Sequence, residues 1–138
     1  MTYPLGVWQA LLVSVYVADK VRQGEYEFVP TSRLAEDLAI PAPSVARLLG
    51  GLGRAGIIET REGARGGVRL AASPEEVSLL QIVEAIDPSQ LFRSDSTPAV
   101  TGPTPTRRQQ ALRGALARAE GEMRSSLEGV TLADIAMV

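Results

Sequence analysis

The sequence predicts a mainly α fold with one small β-hairpin and a long C-terminal helix, on three observations. Two short segments with apolar stripes flank a proline-bearing turn between residues 31 and 54. A β-branched pair, a Gly- and Arg-bearing turn and a short alternating run follow at 57–70. Leu112, Leu116, Ala119, Met123 and Leu127 then recur in steps of three and four. Two short helices around a turn with a hairpin behind them form a winged helix-turn-helix. At 138 residues, one core with an appendage is the natural partition. The expected division is 1–88 for the winged helix-turn-helix, 89–105 for a linker and 106–138 for a dimerisation helix and tail.

Trp8, Leu11, Leu12 and Val15 fall at helical spacing and predict a buried first helix over 3–18. The stretch lacks a basic start and is shorter than the roughly 20 residues a bilayer span needs, so a cytoplasmic protein without a membrane segment is expected. Charged residues and Gly24 then end the helix, and 25–29 alternates weakly like an extended piece. Thr31 is placed as N-cap of a second helix ending at Leu38, with Leu34, Ala35 and Leu38 inward. A third helix starts near Ala42 or Pro43, since proline suits a first turn. Its Val45, Leu48, Leu49 and Leu52 form one stripe, and Gly56 closes it.

Ile57 and Ile58 open a strand, 60–67 turns, and Val68, Arg69 and Leu70 return. Ser78 and Gln81 have the spacing of a capping box ahead of Leu79, Leu80, Ile82, Val83 and Ile86, a fourth helix that ends near Asp87. Three prolines with Ser and Thr mark 89–105 as a loop. The helix after it contains Gly114 and Gly121, each costing about 1 kcal/mol against alanine, so packing must hold it. Because little core remains for its seam to cover, pairing with a second copy is favoured over packing within the subunit. Thr131 caps a last turn with Leu132 and Ile135 that folds back onto the body.

The chain has no cysteine and no histidine, which removes thiolate and imidazole chemistry together, and no metal or cofactor is expected. With Lys20 as its only lysine and no paired carboxylates at catalytic spacing, the sequence does not read as an enzyme. A net charge of −2 would disfavour nucleic acid, but its distribution matters more. Between 40 and 72, five arginines face Glu59 and Glu62, a local charge of +3, leaving −5 elsewhere. That segment holds the candidate double-stranded DNA contacts. Ser44 and Arg47 lie outside the third helix's stripe, where arginine can contact guanine through two hydrogen bonds. Gly50 and Gly51 would let the helix sit close to a duplex. The hairpin tip offers Arg61, Arg65 and Gly66 to phosphates or a narrow minor groove. In a purely structural reading, Arg47 and Arg54 are a solvated helix face and Ser44 a first-turn cap.

The run "TSRLAEDLAIPAPSVARLLGGLGRAGIIETREGARGGVRLAASPEEVSLLQIVEAID", with "SVARLLGGLGRAGII", "GARGGVRLA" and "PEEVSLLQIVEAI" in that order, closely resembles the IscR/NsrR-type winged-helix repressors, also called the Rrf-two family. The ending "LEGVTLADI" is similar to the family's tail, so the resemblance covers about four-fifths of the chain. It implies a homodimer that binds operator DNA through the third helix and wing, with the long helix crossing to its partner. Carried over, DNA contacts fall on Ser44, Arg47, Arg65 and Gly66, with Arg54 and Arg61 as phosphate candidates. Cluster-binding members hold iron–sulfur through cysteines between the fourth helix and the dimer helix, and 91–107 has none here, as in the clusterless branch. The reading is a repressor of a pseudo-palindromic operator, with no effector indicated. The alternative is a winged-helix protein-interaction module that does not bind DNA.

Overall fold

The computed structural model describes residues 5–88 and 107–136. The expected linker, 89–105, lies outside the described residues. The elements run α1 (Leu5–Arg22), α2 (Thr31–Leu38), α3 (Ala42–Arg54), β1 (Ile58–Arg61), β2 (Gly67–Leu70), a 3-10 turn (Pro74–Glu76), α4 (Leu79–Ile86), α5 (Arg107–Glu128) and α6 (Leu132–Ala136). The predicted class, a winged helix-turn-helix followed by a long C-terminal helix, is what forms.

α1 is the hub, touching α2, α3, α4, α6 and β2. It extends past the expected end to Arg22, and Gly24 turns the chain at φ 74°. The face it buries is not the expected one. Val7, Ala10, Val13, Ser14, Val17 and Ala18 point inward, while Trp8 is 60% exposed and Leu11, Leu12 and Val15 are half-buried. The helix is apolar nearly all round, so spacing could not single out one face. Ser14 is tolerated there because its hydroxyl donates to the Ala10 carbonyl at 2.8 Å, which leaves no unsatisfied polar atom.

α2 and α3 form the helix-turn-helix. Thr31 is the first residue of α2 rather than its cap; Pro30 precedes the helix without a side-chain cap. The turn closes through Ala39 at φ 53° and a hydrogen bond from Ile40 N–H to the Ala35 carbonyl. Tyr16 Oη donates to Asp37, and Arg33 pairs with the same carboxylate at 3.3 Å, tying α2 to α1. Burial first, then the Asp37 hydrogen bond and charge, pushes the Tyr16 phenol above its usual pKa. The α3 stripe is buried as expected at Val45, Leu48, Leu49 and Leu52, over Leu34 and Val13.

The hairpin pairs Ile58 with Leu70 and Arg61 with Gly67. Val29 adds an isolated bridge on the other side of β2, through Val29 N–H to Val68 O at 2.7 Å and Val68 N–H to Val29 O at 2.9 Å; of the extended piece expected at 25–29 only this residue pairs, since Glu25, Glu27 and Phe28 are bends. The Ser78–Gln81 capping box is formed in both directions, at 3.2 and 2.8 Å. Thr131 caps α6 reciprocally with Asp134. Leu79 N–H to Val130 O and Leu132 N–H to Val77 O, both 2.9 Å, stitch the tail to the start of α4, and Leu132 is fully buried in the common core. Ile135 stays 39% exposed. α5 touches the body mainly along α4, where Arg124 pairs with Glu84, and none of its residues is buried.

Candidate nucleic-acid interface

α3 carries three of the expected contacts. Pro43 occupies its first turn, and Ser44, half-buried, donates its N–H to the Pro41 carbonyl at 2.9 Å. Arg47 and Arg54 are exposed. Arg54 lies along Gly50, where a β-carbon would sit 3.3 Å from Nη1. Gly51 faces the other way. It is buried, and a β-carbon there would meet Ile86 Cδ1 at 3.1 Å and the Ala85 carbonyl at 3.6 Å. The expectation that Gly51 lets a duplex approach is therefore corrected: its missing side chain lets α4 approach α3.

β1 packs on α3 and projects the wing from it. At the tip Gly63 takes φ 105° and Gly66 N–H bonds the Gly63 carbonyl at 2.9 Å. A β-carbon at Gly66 would lie 2.2 Å from the Arg61 carbonyl, so the tight turn itself demands glycine. Arg65 is exposed at the apex. Arg61, Arg65 and Gly66 come together around one open cleft of about 330 Å³ that also includes Glu27 and Phe28. A second cleft, about 410 Å³, opens between the wing and the start of α2, lined by Thr31, Ser32, Thr60 and Arg61.

The wing root contains a cluster that the sequence did not reveal. The Phe28 ring, 8% exposed, carries the Arg61 guanidinium at 4.1 Å and that of Arg69 at 4.5 Å. Glu27 pairs with Arg61 at 3.2 Å and Arg69 at 3.7 Å, and Arg69 also pairs with Glu59. The only signal was the weak alternation at 25–29, because Glu27 and Phe28 lie 33 or more positions before Arg61 and Arg69 along the chain.

Charge pairing sorts the cations of the body. Within residues 5–88, Lys20, Arg22, Arg33, Arg61 and Arg69 each have a carboxylate within 4 Å. Arg47, Arg54 and Arg65 have none among the described residues. All three belong to the third helix and the wing tip. Exposed unpaired guanidinium groups on one helix face and a loop attract polyanions, since each can release counterions from a phosphate backbone.

A family described as Rrf2, iron-dependent transcriptional regulator, matches residues 8–137. A Synechocystis sp. protein named as an HTH-type transcriptional regulator is 39% identical over 71 residues, 51% of this chain and 48% of its own length. The chain thus spans about half the length of the curated relative it matches. Among solved structures, oxidised CymR of Staphylococcus aureus superposes with TM-score 0.74 at 21% identity, covering 100% of this chain and 98% of that one. CymR of B. subtilis, a global cysteine regulator, gives 0.75 at 17% identity over 99% and 97%. T. potens IscR gives 0.73 at 18% over 98% and 85%. These likenesses establish the fold. Iron would need thiolate, imidazole or clustered carboxylate donors. The chain has no cysteine or histidine, and no three acidic groups gather among the described residues, so the residues present do not fit an iron site. No described helix is long and apolar enough to cross a membrane.

Proposed function

The chain belongs to the Rrf2 family of transcriptional regulators, and on that premise we propose that it binds double-stranded DNA sequence-specifically, as a homodimeric repressor of a pseudo-palindromic operator that works without an iron–sulfur cluster. The observation that carries this reading is the distribution of unpaired charge: Arg47, Arg54 and Arg65 are the cations of residues 5–88 that have no carboxylate partner among the described residues. Ser44 and Arg47 read base edges, Arg54 and Arg61 meet phosphates, and Arg65 with Gly66 enters beside them from the wing. The repressor role follows from the resemblance of the chain to repressors. The cluster-free state is supported by the missing thiolates and imidazoles.

Pairing through α5 is supported by that helix's surface. Leu112 is 65% exposed and none of the seam residues Leu112, Leu116, Ala119, Met123 and Leu127 is buried within the subunit. Its charges are also segregated: Arg107, Arg108, Arg113 and Arg118 come first, and Glu120, Glu122 and Glu128 accompany Arg124 afterwards. An antiparallel second copy would set the basic half against the acidic half, an arrangement that an isologous two-fold interface allows.

The test is duplex binding at several salt concentrations, using fragments selected from genomic DNA. Log affinity should fall steeply with log salt. Arg47→Ala should relax base preference at a cost of about 1–3 kcal/mol, and Arg65→Ala should weaken all sequences evenly and lower the salt slope by about 1. Binding that ignores salt and both substitutions would instead favour the interaction module, for which the −5 charge outside residues 40–72 is the supporting feature.

A further inference from the structure

Glu27 stands 65% exposed beside Arg61, whose other contact at the wing root is the Phe28 ring. We propose that Glu27 is an internal substitute for a DNA phosphate: it covers Arg61 in the free protein and releases it to the duplex backbone on binding. The proposal rests on the DNA-binding reading above and adds to it a residue that weakens binding to arbitrary sequence.

The geometry supports exchange of one anion for another. Phe28 is buried at the wing root and its ring lies 4.1 Å from the Arg61 guanidinium carbon, while the guanidinium N–H groups remain able to donate to an oxygen anion. Glu27 Oε2 accepts from one of them at 3.2 Å. Both partners are largely exposed, at 45% and 65%, and an ion pair of that kind is weak enough for a phosphate to displace. Arg61 also borders the cleft of about 410 Å³ where Thr31, Ser32 and Thr60 supply hydroxyls, so a phosphate arriving there meets donors on two sides.

The two arginines over Phe28 are not equivalent. Arg69 keeps Glu59 when Glu27 is lost, whereas Glu27 is the one carboxylate paired with Arg61 among the described residues. Glu27→Gln therefore uncovers Arg61 alone. The wing stays in place, because the Val29–Val68 hydrogen bonds and the Phe28 stacking do not involve the carboxylate. A phosphate that reaches Arg61 must displace Glu27 whatever the base sequence, so the mask lowers affinity for any duplex, and it is most readily measured on arbitrary sequence, where backbone contacts supply nearly all of the binding.

The experiment is a double-mutant cycle with Glu27→Gln, Arg61→Ala and both together, measured on a random-sequence duplex at low salt, with amide exchange at Val29 reporting the wing. Glu27→Gln is expected to tighten binding by about two- to fivefold, with Val29 protection unchanged. In the Arg61→Ala background that gain should vanish. An unchanged or weakened Glu27→Gln, or a gain that persists without Arg61, overturns the proposal while leaving DNA binding intact. If the wild-type protein shows no salt-dependent binding at all, the DNA-binding reading fails, and this proposal with it.

Discussion

Replacing Gly67 with alanine should separate the wing from the body. Gly67 has φ 149°, and a β-carbon there would lie 2.1 Å from the Val29 carbonyl oxygen, 2.5 Å from its carbon and 2.9 Å from the Pro30 nitrogen. All three are backbone atoms, so no side chain can swing aside. Relief requires the Val29 segment to move off Val68, which breaks the 2.7 and 2.9 Å hydrogen bonds between them. Two such bonds contribute about 1–3 kcal/mol net, and backbone strain adds about 1–3 kcal/mol, for a loss of roughly 2–6 kcal/mol. Gly63→Ala is the control. Its φ is 105° but nothing lies within 4 Å, so it bears strain of about 1–3 kcal/mol without disturbing the bridge. Urea unfolding gives the two stabilities, and amide exchange at Val29 and Val68 shows whether the bridge survives. If Gly67→Ala lies within about 0.5 kcal/mol of wild type with both amides still protected, the close approach is not what fixes the wing.

Leu112→Glu should weaken self-association by about tenfold or more in sedimentation, with the unfolding of the isolated subunit unchanged because Leu112 is 65% exposed there; undiminished pairing would move the interface off α5. The Tyr16 phenol is held protonated by burial and by Asp37, so its contribution to stability is fully present below pH 10 and is lost as pH rises through its raised folded-state value. Tyr16→Phe should remove a phase above pH 10 from the phenolate absorbance titration and flatten the alkaline loss of stability, and a lost phase centred at or below pH 10 would refute the assignment.

Where the chain's pattern was local and contrasted, it could be read directly. The α3 stripe alternates apolar residues with Arg, Ser and Gly, and Ser78 sits three residues before Gln81, so both were apparent from spacing alone. Where contrast was missing, reading failed. α1 is apolar on several sides, and only tertiary contact decides that Val13 rather than Trp8 faces α3. Gly51 illustrates a second limit, since a missing side chain does not say which neighbour needs the space. The candidate interface was legible as an excess of arginine. Which arginines are free was not, because pairing of Arg61 and Arg69 depends on Glu27, Phe28 and Glu59, a relation that folding alone creates.

The fastening of the C-terminal end bears on how two subunits would sit on a duplex. α5 does not hang from a loose tether: its last turn runs into Val130 and Leu132, which are pinned by backbone bonds to the start of α4, and Leu132 fills the same interior as α3's stripe. A helix secured in this way acts as a strut. In a pair joined through α5, the distance and angle between the two arginine-bearing ends would be set by that strut, so the assembly would accept one half-site separation and reject a neighbouring one. Adding a single residue to the strut near Ser126 would turn everything before it by about 100° relative to the anchored tail and change the accepted spacing without touching a DNA contact.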